Sequence, residues 1–289
     1  MDAFYYIDKP TGITSFQVLR EMRKILWVKK FGHSGTLDPL ATGGLLVAVG
    51  AYTKLIPYVE KDSKRYHATI MLDGSSPSFD SDTEISFLSW EKQKYFQNSL
   101  SLQDIEILFQ RHFFWNISQV PPKYSALKID GKRALDRTLA GEEIEMKTRE
   151  VEIFSYKIES FHYPELRVEL NVSAGTYIRS IAHDLGALLW TWGYLSALRR
   201  TWVWQLDVSS LVWLNELDET KILDIAKIFW DRMYEYKDET LYKRLSEWQR
   251  VRGDFSFPEQ QDIFLTDGQG IRFVVEYKNG VIHPRKKIL

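Results

Sequence analysis

One twelve-residue string, Gly32-His33-Ser34-Gly35-Thr36-Leu37-Asp38-Pro39-Leu40-Ala41-Thr42-Gly43, gathers a carboxylate, an imidazole and three hydroxyls between glycines. Several chemistries could use such a set. A strained nucleophile turn needs Gly-x-Ser-x-Gly, and Gly32-His33-Ser34-Gly35-Thr36 misplaces the second glycine. A phosphate-cradling loop needs Gly-Lys-Ser/Thr after four residues, and a dinucleotide fingerprint needs another glycine rhythm behind a strand. Neither is present. What remains is Asp38 followed by Pro39, a carboxylate that the glycine-flanked loop could aim at something. The same Asp-Pro pair could equally open a helix, with Asp38 as N-cap and Pro39 at N1. Taken alone, the loop leaves both readings open.

Other chemistry is thinly represented. The chain has no cysteine, which excludes disulfides and thiolate zinc sites. His33, His67, His112, His162, His183 and His283 are scattered, with no His-Glu-x-x-His pair. No metal and no cofactor are expected.

The elements that must position the loop are legible in part. Residues 14–29 predict a helix capped by Thr14 or Ser15, with Val18, Leu19, Met22, Ile25 and Leu26 on one face. Residues 45–50 read as a short buried strand, and 65–72 alternate. Residues 165–173 alternate most cleanly, placing Leu166, Val168, Leu170 and Val172 on one face. Ser101 and Asp104 form a capping-box pattern ahead of a helix over 101–114. A further helix over 177–189 is opened by Gly175 and Thr176. Strands and helices mix without a regular strand–helix–strand beat, so the fold class is α+β. Residues 123–150 carry many charges and few apolar anchors and predict an exposed excursion. The end reads as strand, Asn-Gly turn, short strand and a basic tail, Arg285-Lys286-Lys287. A boundary near 214 would leave a small C-terminal unit.

At 289 residues, 44% apolar and 27% charged, the chain has the composition of a soluble globular protein. Net charge is −1, but residues 1–67 hold 10 basic and 6 acidic side chains while 68–122 hold 3 and 7. Any nucleic-acid footprint must therefore be a local stripe. The N-terminal stretch lacks a signal-peptide pattern, and no long apolar run could span a membrane. A cytoplasmic location is expected.

Read together, "DKPTGITS" (8–15), "GHSGTLDPLATG" (32–43), "DSKRYHA" (62–68), "QVPPKYSALKIDGKRA" (119–134), "SAGTYIRSIAHDLG" (173–186) and "YLSALRRT" (194–201) resemble, in order, the TruB family of tRNA pseudouridine synthases. The matching blocks run from about residue 4 to 213. The resemblance implies a pseudouridine synthase fold, with a mixed, largely antiparallel sheet flanked by helices over 1–213. A short PUA-like β-rich domain would follow over 214–289, and the 123–150 excursion would be a thumb closing on the RNA. It implies an isomerase that breaks the ribose C1′ to uracil N1 bond of the tRNA T-loop uridine and joins C5 to C1′ instead.

The resemblance also distributes roles. Asp38 would act on the nucleoside, Arg179 would pair bidentately with it and keep it ionised, and Tyr66 would pack against the uracil and help move its C5 proton. Tyr177, Leu198 and Lys64 would line the same pocket, with Gly32 and Gly35 letting backbone approach the substrate. His33 would fill the space left by the extruded base. Lys9, Arg20, Lys29, Lys30, Lys123, Lys128, Lys132, Arg133 and Arg199 would meet RNA backbone. The implied partner is the T-arm of tRNA, with the protein acting as a monomer, without metal or membrane.

Departures from the family pattern stand out at "LDGSSPSFDSD" (72–82), where Asp80 is nevertheless retained, and at Trp204, where glycine is usual. Two alternatives are a T-arm binding protein that folds tRNA without turnover and a guide-RNA-dependent relative.

Overall fold

The computed structural model describes residues 1–59, 63–255 and 257–289; Asp62, which opens one family-like block, lies outside them. β1 (Ala3–Lys9) leads through α1 (Ser15–Leu26) to the antiparallel pair β2 (Phe31–Ser34) and β3 (Thr42–Val49). A 3-10 stretch (Gly50–Tyr58) and β4 (Lys64–Met71) follow, then a small hairpin, β5 (Gly74–Ser75) with β6 (Ser86–Phe87). α2 (Trp90–Ser99), α3 (Leu102–His112) and β7 (Trp115–Gln119) precede the excursion. That excursion holds β8 (Lys128–Ile129), β9 (Lys132–Arg133) and α4 (Ala134–Leu139). β10 (Arg149–His162), β11 (Glu165–Val172), α5 (Ile178–Leu189), β12 (Tyr194–Val203), β13 (Leu206–Asp207) and β14 (Val212–Trp213) return to the main body. The C-terminal part is α6 (Ala226–Phe229), β15 (Met233–Glu235), α7 (Glu239–Ser246), β16 (Val251–Arg252), β17 (Gln260–Thr266), β18 (Ile271–Lys278) and β19 (Val281–Lys287).

Ten strands form the main sheet, in the order β14-β1-β3-β12-β4-β11-β10-β7, with β2 beside β3 and β13 beside β12. Within it only β1–β14 and β3–β12 are parallel. The smaller sheet runs β15-β17-β18-β19-β16. The α+β class and the mixed, largely antiparallel sheet are thus what the chain adopts.

Two cores explain why some strands alternate in sequence and others do not. On one face of the sheet lie Tyr5, Ile7, Val47, Ile70, Leu166, Val168 and Leu170. Val18, Leu19 and Met22 of α1, Ile105 and Phe109 of α3, and Ile181 and Leu185 of α5 pack against them. On the opposite face, Phe4, Tyr6, Leu46 and Ala48 meet the 3-10 stretch and the C-terminal part through Tyr52, Ile228, Phe229, Phe264 and Val274. β1 and β3 are therefore buried on both faces and read as continuous apolar runs. β4 and β11 have one covered face, and they alternate. A third core, with Leu241, Leu245, Ile263 and Phe273, lies within the C-terminal part.

Three expectations change. α1 stops at Leu26, and Ile25 is exposed although it falls on the periodic face, because that face is wider than the core beneath it. No helix opens at Asp38-Pro39; residues 35–41 are a connection between β2 and β3, and Gly32, His33, Gly43 and Gly44 belong to those strands. Arg285-Lys286-Lys287 is not a tail but the end of β19. There Arg285 pairs with Glu276, and Lys286 Nζ donates to the Lys54 carbonyl at 3.2 Å.

Candidate active site

The Asp38 loop is tied down from below. Gly12 N–H donates to the Pro39 carbonyl at 2.8 Å, and Lys9 Nζ donates to the same oxygen at 3.2 Å. Thr11 Oγ1 donates to the Leu40 carbonyl at 3.0 Å. Ser15 Oγ accepts from Leu37 N–H at 2.9 Å and donates to its carbonyl at 3.1 Å. A loop fixed at Leu37, Pro39 and Leu40 has little freedom left at Asp38.

Arg179 comes to it from the first turn of α5, 141 residues away in sequence. Its Nη2 lies 2.9 Å from Asp38 Oδ1 and its Nη1 lies 3.2 Å from Asp80 Oδ2. Nη1 also donates to the Ser78 carbonyl at 3.0 Å. The expected bidentate grip on Asp38 is replaced by a bridge, because Asp80 takes the guanidinium's second arm. Asp80 is itself fixed, accepting at Oδ1 from Asp82 N–H at 3.0 Å and Ser78 Oγ at 2.5 Å. Side-chain exposure is 4% for Arg179 and 2% for Asp80, against 30% for Asp38, the member of the three that remains reachable.

Sharing has an electrostatic consequence. Burial pushes the Asp38 carboxyl above the ordinary carboxylate range; Arg179 opposes this, and the charges of Asp80 and Asp82 add to it. Arg179 thus moderates a rise instead of producing a fall. Lys9 is caged by the carbonyls of Pro10, Ile13 and Pro39, and burial lowers it to about 8 against the pull of Asp38 and Asp82.

Above the pair lies a cavity of about 490 Å³, whose lining includes Asp38, Lys64, Tyr66, Tyr177, Arg179 and Leu198. That is within the size range of small-molecule sites. Tyr66 and Lys64 point into it from alternate positions of β4, Leu198 from β12, and Gly35 borders it with φ +72°. A second cavity of about 630 Å³ meets the first at Asp38 and Arg179, and holds His33, Phe16, Asp80, Tyr124 and Arg133. The structure brings all three residues assigned catalytic roles together. It places His33 in the adjoining chamber. His33 is held below its ordinary value by burial and then by Arg200, so its ring is neutral.

Other assignments need correction. Gly32 lines neither cavity; a β-carbon there would collide with Ile56 of the 3-10 stretch. A β-carbon at Gly43 would strike the Arg200 backbone, and one at Gly44 the Tyr6 ring. These glycines admit protein neighbours, and of the loop's glycines Gly35 lines the first cavity. Lys9 is fully buried and cannot reach RNA backbone. Arg199 pairs with Asp8, with Nη2 2.8 Å from Oδ2, keeps a partly exposed side chain, and lines a separate cavity on the other side of Leu198. Arg20, Lys29, Lys30, Lys123, Lys128, Lys132 and Arg133 are exposed.

Two supporting residues escaped sequence reasoning. Gln119 Nε2 donates to the Tyr177 carbonyl at 3.0 Å and its Oε1 accepts from Tyr177 N–H at 2.8 Å, tying β7 to the start of α5. Fully buried Arg200 donates to the carbonyls of Gly44 at 2.7 Å and Gly35 at 3.1 Å, bracing the loop from the side. Both lie in the quoted blocks, but residue type alone does not distinguish a brace from a surface group.

Comparison with known proteins bears on the family and the fold. The model of the TruB family pseudouridylate synthase N-terminal domain matches residues 23–178. The tRNA pseudouridine synthase B of Geobacter sulfurreducens is 38% identical over 220 residues, covering 76% of this chain and 70% of that protein. That of Trichormus variabilis is 39% identical over 221 residues, covering 75% and 73%. The namesake from Phocaeicola vulgatus is 35% identical over 232 residues and is covered over 96% of its length. Among solved structures, a Cbf5-Nop10-Gar1 complex contains a chain similar at TM-score 0.67 and 20% identity, covering 99% of this chain and 85% of that one. At that identity the likeness shows the fold alone, and it extends through both sheets.

Proposed function

The chain belongs to the TruB family of pseudouridylate synthases, and on that premise we propose that it isomerises the T-loop uridine at position 55 of tRNA to pseudouridine. The C1′–N1 bond breaks, the uracil turns, C5 joins C1′, and the hydrogen on C5 leaves as a proton while N1 gains one. Electrons balance without an oxidant or a group donor. We read the protein as a monomer that works in the cytoplasm without metal or cofactor; no helix among the described residues is long and apolar enough to cross a membrane.

The observation that carries the reading is the 2.9 Å contact between Arg179 and Asp38 at the floor of a cavity lined by Tyr66. A protein that only bound the T-arm would have no use for it. Holding an ionised carboxylate in a closed site costs solvation energy, and a permanently charged guanidinium offsets that cost where the nucleoside must be attacked. Asp38 is the anion that acts on the extruded nucleoside. Tyr66 lies against the uracil and helps to move the C5 proton, while Lys64, Tyr177 and Leu198 complete the walls. Extruding a base costs on the order of a few kcal/mol. The neutral His33 ring, in the adjoining chamber, fills the place it leaves.

Release of tritium from tRNA carrying C5-tritiated uridine reads the new carbon–carbon bond directly. The wild-type chain releases it and Asp38→Asn does not. Normal turnover by a folded Asp38→Asn protein removes Asp38 from the reaction.

A further inference from the structure

Ten non-glycine residues among those described have φ in the left-handed region, and six of them are tryptophan: Trp27 (52°), Trp115 (67°), Trp190 (61°), Trp192 (56°), Trp204 (61°) and Trp248 (60°). The chain has ten tryptophans in all, so most of them adopt a conformation in which Cβ crowds the following carbonyl. Of the other four residues, Asp130, Asp262 and Asn279 are of the types that tolerate it, which leaves Phe79 as the one other bulky case.

The backbone around these tryptophans is of the kind glycine makes. At the end of α5, Thr191 N–H donates to the Gly186 carbonyl at 3.0 Å and Trp190 N–H to the Ala187 carbonyl at 3.2 Å. α7 ends in the same pattern, with Gln249 N–H on the Arg244 carbonyl and Trp248 N–H on the Leu245 carbonyl, both at 3.0 Å. In this helix ending the left-handed position is usually glycine and sometimes asparagine. Trp27 takes the left-handed position after α1. Trp204 is the first residue of the two-residue turn joining Val203 to Leu206, another glycine place.

Their side chains give little reason for the strain. Trp27 is 89% exposed and Trp190 84%; Trp115, Trp192 and Trp248 are also exposed. Trp204 does have a partner, its Nε1 donating to the Ile228 carbonyl at 2.6 Å. A docking surface of indoles would not require left-handed backbone at each anchor. Gradual replacement of glycine would scatter alanine, serine and arginine over such positions, not one residue type.

We infer that positions 27, 115, 190, 192, 204 and 248 are glycine in the protein as its own cell makes it. One codon accounts for all six: UGA, which different genetic codes read as stop, tryptophan or glycine, is read there as glycine. The consequence reaches the site, because positions 190 and 192 follow the helix that carries Arg179, and position 115 opens the strand that carries Gln119.

Mass spectrometry of tryptic peptides from the protein purified out of its source organism decides the matter. Glycine at the six positions is expected, and tryptophan there overturns the inference. A recombinant comparison tests the backbone argument separately. Replacing all six tryptophans by glycine raises the thermal midpoint by about 10 °C or more, while replacing them by alanine, which removes the ring but keeps Cβ, gains clearly less. Trp202→Gly, within β12 and outside the left-handed set, lowers the midpoint. Equal gains from glycine and alanine would refute the claim that these positions are built for glycine.

Discussion

Asp38, Asp80 and Asp82 stand near two cations, Arg179 and Lys9, but burial, ahead of these charges, sets how Asp38 titrates. The folded chain holds the Asp38 carboxyl above its ordinary 3.8, so folding favours its protonated form. Ionised Asp38 therefore costs stability at neutral pH, and the cost fades as pH falls toward that ordinary value. Asp38→Asn should raise the thermal midpoint at neutral pH while abolishing turnover, with the advantage shrinking as the melt is repeated at lower pH. A midpoint that falls at neutral pH would mean that Arg179 outweighs burial. Arg179→Ala leaves Asp38 and Asp80 without their shared cation. The rate should drop about 10²–10³-fold, and the acid limb of its pH profile should move to higher pH, because the carboxyl rises further. Affinity for tRNA, measured by filter binding at a temperature where the variant is folded, should be unchanged. Loss of binding with a full rate on bound tRNA would place Arg179 at the phosphates instead.

At the scale of elements, the site depends on how α5 begins. No side chain caps that helix; its first turn is anchored by Gln119, which reaches Tyr177 from β7. Gln119→Ala leaves the Tyr177 N–H and carbonyl without that partner, at about 1–3 kcal/mol. The single-turnover rate should fall along with the thermal midpoint, because Arg179 sits two residues beyond Tyr177. A lowered midpoint with an unchanged rate would show that α5 is positioned by other contacts. The same elements show what was readable beforehand. β11 alternates because one of its faces is covered, and the Ser101–Asp104 box did cap α3. The partnership of Asp38 with Arg179 joins distant strings and was legible only through family resemblance. Lys9 and Gly32 mislead at the level of sequence for a common reason: a lysine reads as surface until a fold closes carbonyls around it, and a glycine reads as substrate-facing until a neighbour such as Ile56 occupies its open side.

For the molecule as a whole, a net charge of −1 means that attraction for tRNA must come from where the cations stand, not how many there are. With Lys9 buried and Arg199 paired to Asp8, the available charge falls on Lys29 and Lys30 after α1 and on Lys123, Lys128, Lys132 and Arg133 of the excursion. The excursion is anchored by few buried residues, among them Ser125, Ala134 and Ile144, while Arg137 is taken by Asp130 and Glu142. Its hairpin can therefore lose charge with little effect on the core. Lys128→Ala and Lys132→Ala combined should weaken tRNA binding and flatten the plot of log affinity against log salt by about 0.7–0.9 for each phosphate contact removed. The rate at saturating tRNA should stay unchanged, since neither lysine lines the two cavities that meet at Asp38. A salt slope equal to the wild type's, with affinity intact, would mean that the hairpin does not meet RNA backbone and that Lys29 and Lys30 carry the attraction instead.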